Sequence, residues 1–346
     1  MSDVRIEGGR DLAAPPVSIL LPAFNAAATL PACLRSIARQ REPRWECVLV
    51  DDGSDDDTLA CAAAYALRDR RFVVVGRRHT GLVATLNAGL LYCRGQYVAR
   101  MDADDIMHRE RLGAQVAALD AAPELAGVGS HVRIWPRQHL QKGWRAYEHW
   151  LNGIESAHQV RTEAFVESPI VHPTLMMRRE ILVAFGYRAC DWPEDYDLLL
   201  RVLTAGHDVG VVPRRLLCWR DSAQRLTRSH ARYAIDRFAP CKAAFLAAHF
   251  LARTDTYILW GFGHTGRALH RALLRHGKRL AYLVDVHPGR LGNRIHGAPT
   301  ISPEALINFR GLPVVVSVAK ALPRRNIRVA MRQMGFEEMR DFVCAA

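Results

Sequence analysis

Three carboxylates fall within four residues in Met101-Asp102-Ala103-Asp104-Asp105, directly after the run Gln96-Tyr97-Val98-Ala99-Arg100. If that segment stays extended, side chains alternate between its faces, so Asp102 and Asp104 point the same way and can share one hard cation at a strand's end. Such a cation suits a diphosphate. Asp105 would then face away and start the next helix. A solvated turn would use the same residues, so what surrounds them has to discriminate.

Other residues with chemical potential sit at comparable places. Pro22-Ala23-Phe24-Asn25 and Val50-Asp51-Asp52-Gly53-Ser54 each follow an apolar run, and Glu194-Asp195 follows Pro193 at the start of a helical pattern. Each motif also has a plainer reading. Asp-Gly-Ser is an ordinary turn sequence, Asn25 could cap a helix, and acids in a first turn complement the helix dipole.

The elements that must position these groups can be read from periodicity. Val17–Leu21, Cys47–Val50, Phe72–Val75 and Gln96–Arg100 are short buried-type strands. Between them, Leu30, Leu34 and Ile37 mark one helix, a second starts near Thr58 with Asp57 as N-cap, and a third runs from Leu82 to Cys93. This βαβαβαβ order implies a mostly parallel α/β sheet, with ligands bound beyond the carboxyl ends of its strands. Asn25, Asp51, Asp52 and Asp102 all fall at such ends. Helices are expected around Arg109–Asp120, Trp144–Asn152 and Pro193–Ala205, with strands near Val128–Ile134 and Thr174–Met177.

Composition limits the function classes. With 346 residues, 49% hydrophobic and 24% charged, the chain is long enough for two globular domains. No apolar run approaches the length of a membrane span, and the polar start lacks a signal-peptide core, so a cytoplasmic location is expected. The eight cysteines are scattered without a Cys-x-x-Cys pair and read as small core residues. Residues 1–227 hold 28 Lys+Arg and 28 Asp+Glu, whereas residues 228–346 hold 19 and 7, so the whole net charge of +12 lies in the C-terminal third. A phosphorylated ligand, an anionic membrane surface touched peripherally or an acidic partner would fit that third. Nucleic acid would not, since its basic residues follow no recognisable binding motif.

Taken in order, these motifs over residues 15–230 closely resemble the family 2 glycosyltransferases of the GT-A fold. The resemblance implies an inverting transfer of a sugar from a nucleoside diphosphate, UDP above all, to an acceptor hydroxyl in cell-envelope, lipopolysaccharide or exopolysaccharide assembly. It assigns Mg²⁺ or Mn²⁺ to Asp104 with Asp102, the base and ribose to Asp51 or Asp52, the flank of the base to Pro22 and Ala23, and the general base to Asp195. Asn25 is placed with the nucleotide-sugar contacts. Ser168-Pro169-Ile170-Val171-His172-Pro173-Thr174 looks like the His-Pro-Ser/Thr segment of bacterial members, putting His172 at the acceptor or phosphate pocket or in a structural hydrogen bond. Trp219-Arg220-Asp221-Ser222 leads to Arg225 and Arg228, which could close over the diphosphate, and to His230 beside the metal. The acceptor would be a saccharide or a lipid-linked one. The Gln-x-x-Arg-Trp motif of processive synthases is absent from the sequence.

The expected organisation is a leader over 1–14, the GT-A domain over 15–228, a linking helix over 229–254 and a Rossmann-like domain over 255–346. In the last, Gly261-Phe262-Gly263-His264-Thr265-Gly266 follows a strand and opens a helix, and Asp285 ends the next strand about 20 residues on. The glycines would admit a phosphate and Asp285 a ribose diol. This domain resembles the small Rossmann-like units appended to bacterial sugar-modifying proteins. It offers no hydride-transfer machinery, which counts against NAD and an oxidoreductase, the competing enzyme reading. Without catalysis of its own, it would serve as a nucleotide-sugar-binding module or as a docking module.

Overall fold

The computed structural model describes residues 4–6, 14–222 and 234–346. The chain divides into two compact units, one comprising Met1–Val160, Pro169–Cys190 and Arg201–Arg225, the other Arg161–Ser168, Asp191–Leu200 and Leu226–Ala346. Among the described residues no helix is long and apolar enough to cross a membrane.

The first unit is organised by a nine-stranded sheet. Its strands are β1 (Val4–Ile6), β2 (Val17–Ala23), β3 (Trp45–Asp51), β4 (Phe72–Gly76), β5 (Tyr97–Arg100), β6 (Ile106–Met107), β7 (Leu125–Trp135), β8 (Met176–Arg178) and β9 (Asp208–Arg220), in the order β1-β4-β3-β2-β5-β8-β7-β9-β6. Strands β4, β3, β2 and β5 run parallel. The chain builds outward from β2 to β3 and β4, then returns to place β5 on the other side of β2. That reversal is the switch point at which open α/β sheets bind ligands. β2 and β3 are buried along their whole length, as strands covered on both faces must be.

Helices α1 (Leu30–Ala38), α2 (Thr58–Arg68), α3 (Leu82–Tyr92), α4 (Arg111–Ala121), α5 (Lys142–Leu151), α6 (Ala157–Glu163), α7 (Arg179–Phe185) and α8 (Glu194–Thr204) follow in chain order. In α1, Leu30, Cys33, Leu34 and Ile37 recur at the three-and-four spacing that makes one buried face. Each leucine fully buried there contributes about 1.5–3 kcal/mol. The N-cap of α1 is Thr29, not Asn25. Asp57 occupies the N-cap position of α2 without a side-chain cap bond; Asp56 instead accepts the Thr58 N–H at 3.0 Å.

The sequence pattern does not announce the thirteen-residue β9, because Pro213, Arg214 and Arg215 interrupt its apolar run. The interruption is absorbed by a register shift. β7 pairs Ser130 with Val212 and then His131 with Arg215, so Pro213, which has no N–H to give, stands in a bulge.

The second unit contains a six-stranded sheet formed by β10 (Thr256–Trp260), β11 (Arg279–Val284), β12 (Arg294–Ile295), β13 (Ala298–Ile301), β14 (Val314–Val316) and β15 (Phe342–Cys344). Their order is β12-β13-β11-β10-β14-β15, parallel except for β12. Its helices are α9 (Ile235–Phe245), α10 (His264–Leu274) and α11 (Ala321–Gln333). The parallel strands therefore follow the 3-2-1-4-5 arrangement of a doubly wound sheet, with β10 first and central.

Candidate functional site

Beyond β5 the chain does not stay extended. The Asp105 N–H returns to the Asp102 carbonyl at 3.3 Å, and this turn gathers all three carboxylates, each with an oxygen within 4.8 Å of the others. Asp105 therefore joins Asp102 and Asp104 instead of facing away. It is buried, and its Oδ1 accepts the Arg220 backbone N–H at 2.7 Å. Asp102 and Asp104 are partly exposed. A donor set made only of carboxylate oxygens fits a hard divalent cation such as Mg²⁺ or Mn²⁺.

Arginines brace this turn. The buried Arg100 contacts Asp102 at 2.6 Å, and Arg220 donates from Nε to the Asp104 carbonyl at 2.7 Å. The Arg220 guanidinium also lies 4.5 Å from the centre of the Trp135 ring. The β6–β9 pairing, Ile106 to Cys218 and Met107 to Leu217, delivers Arg220 to this place. Arg111 is fully buried and donates to the Arg100 carbonyl at 2.8 Å. Burial pulls its guanidinium below the usual range, and the negative charge of Asp105 works against that fall. Arg220 belongs to a motif visible in the sequence, but its contact with the acidic turn depends on β9. Arg225, Arg228 and His230 lie outside the described residues.

The neighbouring strand ends form a second cluster. Pro22 and Ala23 are buried at the end of β2, paired with Val50 and Asp51, and the Ala23 carbonyl accepts the Asp52 N–H at 2.9 Å. Asn25 has a φ of 49° and joins two loops, its N–H donating to Ser54 Oγ and its Oδ1 accepting the Asp55 N–H, both at 2.9 Å. Asp51 accepts from Ser54 Oγ at 2.5 Å. Asp52 is buried and engages residues 79–81, accepting from the Thr80 N–H at 3.0 Å and the Gly81 N–H at 2.9 Å, with His79 Nδ1 2.9 Å away. Gly53 has a φ of +73°, and a β-carbon there would lie 2.6 Å from the His79 backbone nitrogen. Only glycine lets these two loops approach so closely.

Phe24 has no role assigned to it by the sequence motifs. It is 44% exposed, and its ring centre lies 4.4 Å from that of His79. A large aromatic left exposed at a strand end is the signal that could have singled it out.

His172 is buried, with Nε2 2.9 Å from the Tyr187 hydroxyl. Burial, seconded by the positive charge of Arg100, holds its pKa well below the ordinary histidine value, so the ring is neutral near pH 7. Asp195, in the second unit, opens α8 and is partly exposed, and its Oδ1 accepts the Tyr196 N–H at 2.8 Å. Tyr196 is fully buried and donates its hydroxyl to the Ala164 carbonyl at 2.6 Å, which fixes the start of the helix within that unit. Asp197 accepts from Trp192 Nε1 at 3.1 Å, a structural use of the acid. Gly261, Gly263 and Gly266 form the passage from β10 into α10, and Asp285 follows β11 with Arg290 at 2.8 Å.

Comparison with known proteins bears on this geometry. The family model described as glycosyl transferase family 2 matches residues 18–185. EpsE of Bacillus subtilis is 30% identical over 230 residues, covering 64% of this chain and 79% of EpsE. The amylovoran biosynthesis glycosyltransferase AmsE of Erwinia amylovora is 32% identical over 204 residues, covering 58% of this chain and 74% of AmsE. Among solved structures, S. aureus TarS in complex with UDP-GlcNAc superposes with a TM-score of 0.56 at 18% identity, over 75% of this chain and 72% of the TarS chain. At that identity the likeness is one of fold.

Proposed function

Because the chain belongs to glycosyltransferase family 2, we propose that it is an inverting, divalent-metal-dependent hexosyltransferase that moves a sugar from a nucleoside diphosphate to an acceptor hydroxyl. The observation that carries this reading is the turn at which Asp102, Asp104 and Asp105 converge beside the β2–β5 switch point. Asp102 and Asp104 would hold Mg²⁺ or Mn²⁺, which when bound neutralises charge on a departing diphosphate. Asp105, already committed to the Arg220 N–H, keeps the turn closed.

UDP is the favoured donor nucleotide, supported by the UDP-GlcNAc complex of the structural neighbour TarS. The base would rest against the exposed Phe24–His79 pair, beside Pro22 and Ala23, with Asp51 and the loop held by Asp52 lining the ribose. His172, neutral and engaged with Tyr187, supports the pocket wall and carries no charge to the phosphates. The proton lost by the acceptor hydroxyl is assigned to the Asp195 carboxylate, on the strength of the Glu-Asp motif. AmsE is named for amylovoran biosynthesis, which supports a saccharide or lipid-linked acceptor in surface-polysaccharide assembly. The basic excess of residues 228–346 supports peripheral contact with an anionic surface.

The base assignment is tested by UDP release from UDP-sugars in the presence of Mn²⁺. Asp195→Asn is expected to lower kcat by about 10²–10⁴-fold while leaving UDP affinity intact. Full turnover in that variant would remove Asp195 from the mechanism.

A further inference from the structure

We propose that the C-terminal unit carries a nucleotide-diphosphate site of its own, at the passage from β10 into α10. The strand order places β11 and β13 on one side of β10 and β14 and β15 on the other, so the switch point lies between β10 and β14. Both strands end in the residues that line it, Gly261 to Gly263 after β10 and Ser317 after β14.

The three glycines are not equivalent. Gly261 has a φ of +94°, and a β-carbon on it would lie 2.7 Å from Val318 Cγ2 and 3.0 Å from the Ser317 carbonyl oxygen. Gly266 is buried in the first turn of α10, where a β-carbon would fall on the Gly261 carbonyl oxygen. Packing within the unit explains both. Gly263 has an ordinary φ of −73°, and a β-carbon on it would meet nothing within 4 Å among the described residues. Neither conformation nor neighbours require glycine there. It is the N-cap residue of an eleven-residue helix, the position at which backbone N–H groups and the helix dipole receive an anion, so the clearance is accounted for by close approach of a phosphate.

A second observation is independent of the helix end. Ser317 is 3% exposed, and its hydroxyl has no hydrogen-bond partner among the described residues. The hydroxyl stands 3.3 Å from the β-carbon position of Gly266, in the first turn of the helix that the glycine turn opens. A buried hydroxyl without a partner is costly, and an oxygen of a bound phosphate would satisfy it. Thr265 and Arg267, exposed in the first turn of α10, add a hydroxyl and a positive charge. At the end of β11, Asp285 supplies a carboxylate for the ribose diol. It accepts the His287 N–H at 2.9 Å and pairs with Arg290, whose half-exposed side chain can swing aside.

The recognised chemistry is a ribonucleoside diphosphate, which either a dinucleotide or a nucleotide sugar can present. Equilibrium dialysis of the full-length chain carrying Asp104→Ala, in EDTA to silence the metal-dependent donor site, separates these sources by using NADH and UDP as probes. One probe is expected to saturate at one site per chain. Gly263→Val should weaken that binding at least about tenfold, with a fall in melting temperature of no more than a few degrees, because the valine enters open space and costs only a favourable N-cap residue, and Ser317→Ala should weaken it by about threefold to tenfold. Gly263→Ala, smaller still, should fall between wild type and valine. Binding of neither probe at millimolar concentration, or undiminished binding in Gly263→Val, overturns the proposal.

Discussion

Replacing Asp52 with alanine tests whether this acid holds the nucleotide or holds the loop beside it. In the structure its carboxylate receives the Thr80 and Gly81 backbone N–H groups at 3.0 and 2.9 Å and stands 2.9 Å from His79. A hydrogen bond to a charged acceptor contributes about 1.5–3 kcal/mol, but Thr80 is exposed and water can replace part of what is lost. Removing both bonds should therefore cost about 2–3 kcal/mol. For a unit of this size that corresponds to roughly 5–10 °C in melting temperature, measured by near-ultraviolet circular dichroism. Asp52→Asn keeps one acceptor oxygen and should lose about half as much. UDP affinity should fall as well, since His79 and its partner Phe24 shift with the loop. A melting temperature within about 1 °C of wild type, together with lost UDP affinity, would refute the structural role and return Asp52 to direct ligand contact.

Two further outcomes are expected. Arg220→Ala keeps the backbone bond to Asp105 but removes the side-chain bond to Asp104 and the contact with Trp135, worth about 1–2 kcal/mol, so kcat/KM with Mn²⁺ should drop by about 5- to 30-fold. Unchanged kinetics would show that the turn stands without Arg220. Below pH about 6.5 the unfolded chain protonates His172 whereas the folded chain does not, so the stability this neutral histidine contributes is complete above that pH and falls as pH drops towards the folded value. The urea midpoint should decline from pH 7.5 to about 5.5, and less steeply in His172→Gln; equal slopes would show that His172 is not the group responsible.

Much of the first unit is legible in the sequence because its strands are uninterrupted apolar runs and its helices bury one face at regular spacing. Val17–Leu21 and Leu30, Leu34 and Ile37 announce β2 and α1 without tertiary information. The site is less legible, because its geometry depends on contacts distant in sequence. Asp105 joins Asp102 and Asp104 through a turn that strand alternation does not foresee, and Arg220 reaches them only through β9, hidden by Pro213. Asn25 is explained by Ser54 and Asp55, and Asp52 by Thr80 and Gly81, partners that no local pattern names. The glycine turn of the second unit is visible as a motif. Its three glycines become distinguishable only through the atoms around each.

The most direct test of the acidic turn as a metal-diphosphate clamp is calorimetric titration of UDP with and without Mn²⁺, on wild type and Asp104→Asn. Wild type should gain tight UDP binding on addition of Mn²⁺. The variant should fold normally and lose Mn²⁺-dependent affinity by at least about 100-fold, since even outer partners of a bound metal cost about 10- to 100-fold. Equal Mn²⁺-dependent affinity in the two proteins would contradict the assignment of Asp102-Ala103-Asp104 to the metal.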